Sequence, residues 1–97
     1  MRSLLIRPEA EADIEEAYHW YECQRSGLGS DFLLCVEEGL EKIQKDPEMY
    51  PVVHRNVRRL LIRRFPYGIF YITGPGLTTV LAVFHGHRDP KVWKSRS

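Results

Sequence analysis

A chain of 97 residues, 43% hydrophobic and 28% charged, carries enough apolar side chain for one core and is too short for two, so a single domain over residues 1–97 is expected. The composition excludes a disordered chain, no charge-free stretch is long and apolar enough to cross a membrane, and Leu4-Leu5-Ile6 is too short for the core of a signal peptide. A cytoplasmic protein that spans no membrane is expected. The net charge of +1 conceals a division: residues 1–48 hold five Lys/Arg against twelve Asp/Glu, and residues 49–97 hold nine against Asp89 alone. That separation points to an acidic partner, either nucleic acid or protein, unless the arginines simply solvate an outward face.

Leu4-Leu5-Ile6 reads as a short strand ended by Pro8. Pro8 suits the first position of a helix, where its missing amide is no loss, and Glu9, Glu11 and Asp13 complement the helix dipole. Ala10, Ile14, Ala17, Tyr18 and Tyr21 recur at helical spacing as a buried stripe, and Trp20 falls off it, free to enter a partner's groove. Ser26-Gly27-Leu28-Gly29-Ser30 breaks the helix, with Gly27 as a left-handed C-cap. A second helix is expected from about Asp31, carrying Phe32, Leu33, Val36, Leu40 and Ile43 inward, and Asp46-Pro47 ends it.

After a loop from Pro47 to Pro51 the period becomes strand-like, with strands expected at Val57–Arg63, Tyr67–Thr73 and Thr78–His85, the last two joined by Gly74-Pro75-Gly76. Short connections force antiparallel pairing. The unbroken run Val80-Leu81-Ala82-Val83-Phe84 predicts a central strand covered on both faces. The fold class is α+β: an N-terminal strand, an antiparallel two-helix hairpin, then a three-stranded antiparallel sheet to which the first strand adds an edge. Cys23 and Cys35 are expected as buried or half-buried free thiols in a reducing compartment. The Cys and His spacing offers no zinc set, and neither metal nor cofactor is expected.

Several segments carry a resemblance when taken together. Pro8-Glu9-Ala10-Glu11-Ala12-Asp13-Ile14, Asp46-Pro47, the run Arg63-Arg64-Phe65-Pro66-Tyr67-Gly68-Ile69-Phe70-Tyr71, and Val80 to Pro90 with its His85-Gly86-His87-Arg88-Asp89-Pro90 end, followed by Trp93, resemble the RelE/ParE family, and within it the ParE-like plasmid stabilization toxins. The resemblance covers nearly the whole chain. It implies the toxin half of a type II toxin–antitoxin system, held in a hetero-oligomer by a cognate antitoxin whose acidic C-terminal segment wraps the toxin.

The family's two activities are separated by residues, not by fold. RelE-like members are ribosome-dependent mRNA endoribonucleases, and ParE-like members are described as poisons of DNA gyrase. Metal-free RNA cleavage needs a base, an acid and cations that converge on the phosphate. Laid on the RelE pattern, a basic position falls on Leu61 and an arginine on Gly68, neither of which offers proton or charge. Arg88 aligns with a cation of that site, and Arg59 stands at another basic position. His85, His87 and Arg88 are the remaining catalytic candidates, His85 and His87 being equally suited to strand closure and a solvated turn. The resemblance therefore favours a growth-inhibiting toxin that binds a replication enzyme such as gyrase and is not itself an enzyme; the alternative is a RelE-like nuclease acting on ribosome-bound mRNA. Arg58, Arg59, Arg63, Arg64, Arg88, Trp93 and Trp20 are the candidates for binding target or antitoxin, although strand alternation keeps the four consecutive-strand arginines from sharing one face.

Overall fold

The computed structural model describes residues 3–86 and 90–96. In chain order it contains β1 (Ser3–Ile6), α1 (Pro8–Gln24), α2 (Leu28–Lys45), β2 (Val52–His54), β3 (Val57–Leu61), β4 (Tyr67–Gly74), β5 (Leu77–His85) and α3 (Lys91–Lys94). The strands form one sheet in the order β1-β5-β4-β3-β2. The α+β class and the helical hairpin match expectation, and the sheet differs from it in two respects. β1 lies at an edge as expected but runs parallel to β5, with Ser3 opposite Leu77 and Ile6 opposite Val80. The opposite edge is a strand the sequence pattern did not resolve, β2, only three residues long and irregularly paired with β3 through Val52–Arg58 and His54–Val57.

α1 begins at Pro8, with Glu9 and Glu11 in its first turn. α2 begins at Leu28, earlier than the expected Asp31, and Gly27, at φ 89°, is its N-cap and not the C-cap of α1. The cause is tertiary. Glu22, on the last turn of α1, accepts the amides of Gly27 at 3.0 Å and Gly29 at 2.8 Å, so a carboxylate of one helix caps the next. Those bonds, that of Gly27 first, hold the Glu22 carboxyl below its usual range. The two helices approach tightly at Gly29, where a Cβ would stand 2.7 Å from the carbonyl oxygen of Tyr18.

β5 is central and covered on both faces: Val80 through Phe84 are at most 2% exposed. Its alternation is broken by a bulge. Phe70 pairs with Ala82 and Tyr71 with Val80, which leaves Leu81 unpaired. Val80 and Val83 consequently join the core beneath the helices, and Leu81, Ala82 and Phe84 join a second core on the other face. The second core is closed by α3, a single helical turn that no period in the sequence marks. Its Trp93 is 7% exposed and stacks on Phe70 with ring centroids 4.4 Å apart. Burying that indole stabilises the face by about 2–3 kcal/mol.

β1 covers only the first half of β5, and side chains take over beyond it. The Val83 amide donates to Asp13 at 3.1 Å. Arg96 donates to Asp13 at 2.7 Å and to the Leu81 carbonyl at 3.2 Å. Arg7 donates to the Arg96 carbonyl at 3.0 Å. α1, the edge of β5 and the C-terminal turn thus meet at a pair whose Asp13 side chain is 9% exposed. Removing one partner of such a pair leaves the other charge uncompensated. Asp13→Ala is expected to lower unfolding free energy by about 3 kcal/mol, measured by urea denaturation at neutral pH.

Tyr71 is fully buried and donates its hydroxyl to the Pro47 carbonyl at 2.6 Å, pinning the end of α2 to the sheet. Burial pushes its pKa up from 10.0 to about 12. A tyrosine raised in the folded state contributes stability that is present below pH 10.0 and lost as pH rises towards about 12. Tyr71→Phe is expected to cost about 1 kcal/mol at neutral pH and to flatten the fall in stability across that alkaline window, followed by denaturation at several pH values.

Candidate interaction surfaces

Two surfaces stand out, one on each side of the sheet. On the hairpin side a groove of about 740 Å³ runs between α1 and the ends of β4 and β5. Its apolar lining includes Ala17, Trp20, Tyr21, Pro66, Tyr67 and Val83, with Asp13, Glu16, His19 and His85 supplying the polar groups. Trp20 is 58% exposed, as its position off the helical stripe implied, and its ring stands edge-on to Tyr21 at 5.1 Å. Tyr21 in turn packs against Phe65 at 4.8 Å and Phe32 at 5.4 Å, and burial raises its pKa. A rigid aromatic floor under an exposed tryptophan suits capture of apolar side chains.

The sequence pattern puts Tyr21 on the buried stripe of α1 and Tyr67 at the start of a strand, and predicts a Cys23 that is at least half-buried. The structure puts all three along the groove. The available signal was Trp20 itself, since a large aromatic off the stripe beside an aromatic on it marks where the buried face reaches the surface. Cys35 is buried as expected, whereas Cys23 is exposed because it lies on the last turn of α1 at the groove rim; both are free thiols.

The loop from β3 to β4 borders the groove and is tightly wound. The Phe65 amide bonds the Arg63 carbonyl and the Tyr67 amide bonds the Phe65 carbonyl, each at 2.8 Å. Arg64 between them has φ 68°, a conformation uncommon for a residue with a side chain. Its neighbours hold it there. Arg63 makes a two-pronged pair with Glu38 at 2.8 and 3.1 Å, and Arg64 reaches Asp31 at 3.5 Å while lying over the Phe65 ring. Glu38 is held below the usual carboxyl range, chiefly by the Arg63 hydrogen bond.

The arginines named from sequence as binding candidates therefore divide, as strand alternation implied. Arg58 donates to the carbonyls of Glu48 at 3.0 Å and Tyr50 at 2.6 Å, and Arg63 and Arg64 are occupied by α2 carboxylates. Arg59 is different: among the described residues it makes no side-chain hydrogen bond or ion pair, and its Nε is shielded from solvent. It projects from the face opposite the hairpin, beside its register partner Phe70. Its stem lies across Gly68, where a Cβ would stand 3.1 Å from Arg59 Cγ.

Leu61 and Gly68 are register partners, neighbours across β3 and β4. This cross-strand pair, expected to be basic in a RelE-type site, carries no group that can move a proton. His85 lies on the other side of the sheet, opposite Tyr67 in register and 5.5 Å from its ring. Arg59 and His85 are thus brought together by neither strand nor face. His87 and Arg88 lie outside the described residues. Trp93 is not an exposed binding residue but a core residue of the second face. Among the described residues no group of three or more His, Cys, Asp or Glu could hold a metal, and no helix is long and apolar enough to cross a membrane.

A solved chain described as the chromosomal ParDE TA system from P. aeruginosa has the same fold, with a TM-score of 0.67 over 88% of this chain and 96% of that one at 20% identity. No curated protein matches by sequence. The family model for the ParE toxin of the type II toxin–antitoxin system parDE matches residues 4–90, which takes in both long helices and, but for Ser3, all five strands, and the chain belongs to the ParE toxin family.

Proposed function

We propose that this toxin stops growth by binding a replication enzyme such as DNA gyrase, without chemistry of its own, and that a cognate antitoxin neutralises it. The observation that carries this reading is the Leu61–Gly68 register pair. Two adjacent positions that would hold cations in a nuclease site hold a leucine that is 61% exposed and a glycine covered by the stem of Arg59. The separation of His85 from Arg59 by the thickness of the sheet supports the same conclusion, because an acid, a base and a cation must converge on one phosphate.

The antitoxin reading rests on the groove. Its occupant is an amphipathic segment whose apolar residues reach Tyr21 and Tyr67 past Trp20, a helix-in-groove mode of recognition. Acidic residues of the same partner would be drawn to the carboxylate-free stretch between Glu48 and Asp89. Toxin and antitoxin then form a hetero-oligomer.

Induction of the toxin alone is expected to stop cell division, raise a DNA-damage reporter and leave incorporation of labelled amino acids running. Early arrest of incorporation with mRNA cut on ribosomes would establish the nuclease alternative instead. Co-expressed with the short open reading frame beside its gene, the chain is expected to co-elute with that product in size exclusion. Trp20→Ala is expected to weaken the purified complex about thirtyfold by calorimetric titration, the loss typical of a central aromatic anchor; unchanged affinity would remove the groove from the interface.

A further inference from the structure

The second core is shut by one side chain, and the charged groups around that side chain share a single sign. Trp93 stacks on Phe70, with ring planes 21° apart. The His54 ring of β2 stands edge-on to the indole at 5.9 Å and 76°, and the Lys94 ammonium lies 5.8 Å from the indole centroid. Arg55 follows His54 in the β2–β3 turn, and Arg59 shares the face, two residues on from Val57, the register partner of His54. Among the described residues the charges that act on His54 are those of Lys94 and Arg55, and no carboxylate offsets them.

Neutral, the half-buried imidazole is one more ring in this cluster. Protonated, it sets a third cation against Lys94 and Arg55 in surroundings that partly exclude water. Burial first, then Lys94 and Arg55, accordingly hold His54 below its ordinary pKa of 6.5. Opening returns the imidazole to water and to that ordinary value. The closed form therefore has its full stability above pH 6.5 and loses it as the pH falls towards the depressed value.

The elements that would move are short. β2 is an edge strand of three residues, paired irregularly with β3, and α3 is a single turn. Arg96 ties the far end of that turn to Asp13 and Leu81, so Trp93 can leave Phe70 while the end of the turn stays fixed. We infer that His54 is a proton-operated catch: its protonation releases Trp93 from Phe70 and lifts α3 off the sheet, baring the apolar face of Phe70, Leu81 and Phe84.

The two tryptophans are Trp20 and Trp93, so in the full chain carrying Trp20→Phe the indole fluorescence reports Trp93 alone. Quenching by acrylamide, which is uncharged, is expected to rise severalfold between about pH 7.5 and 5, while far-UV circular dichroism retains the signal of the helical hairpin. His54→Gln, or His54→Phe where glutamine disturbs the fold, should keep quenching low across that range. Lys94→Gln, which removes the stronger of the two neighbouring repulsions, should reduce the rise. In the unsubstituted chain the His54 imidazole, followed by proton NMR, should titrate below 6.5. Quenching unchanged by acid, a rise that persists in both His54 variants, loss of the helical signal in step with the quenching, or an imidazole midpoint at or above 6.5 would each overturn the inference. None of these readouts involves a target or an antitoxin, so failure here leaves the function proposed above untouched.

Discussion

The architecture depends on how the outer edge of β5 is finished. β1 pairs with it only as far as Val80, and the bulge at Leu81 then turns its backbone groups away from the regular ladder. Unpaired strand edges are costly inside a core and hazardous outside one. Here one carboxylate and one guanidinium satisfy the edge: Asp13 takes the Val83 amide and Arg96 serves the Leu81 carbonyl while pairing with Asp13. The same contact fixes α1 against the strand and draws the C-terminal turn across the sheet, which seats Trp93 on Phe70. The groove takes part of its lining from Asp13 and Val83, so its shape follows from this closure as well.

The charge division of the sequence is transformed by folding. Arg63–Glu38, Arg64–Asp31 and Arg96–Asp13 each join a cation from the second half to a carboxylate from the first. The two exposed pairs, Arg63–Glu38 and Arg64–Asp31, contribute little stability, yet they decide which cations remain available. A count of charges along the chain and the alternation of the strands do not say which arginines are paired, whereas the fold leaves Arg59 distinguished from its paired neighbours.

Much of the fold was legible because its signals are local. Pro8 with acidic followers marked α1, Asp46-Pro47 marked the end of α2, and the run Val80 to Phe84 marked the central strand. What escaped depends on residues distant in sequence. The start of α2 is set by Glu22 of α1, and the parallel sense of β1 by the path of the whole chain back to its edge. β2 is too short for a period to show, and Trp93 is buried only because Phe70 lies across the sheet to receive it. For the surfaces, Trp20 was readable as an aromatic out of phase. The distinction between Arg59 and its neighbours was not, since it depends on which carboxylates the hairpin brings near.

The pairing of Ser3 with Leu77, and of Asp13 with Arg96 across 83 residues, has a consequence for how the molecule is made. Strand β1 and the first helix leave the ribosome early but have no sheet to join until the last strand follows them. Closure of long loops of this kind is slow and must precede the contacts that reward it. Synthesis interrupted before residue 96 therefore yields chains with an unfinished β5 edge and an uncovered second core, exposed to proteolysis.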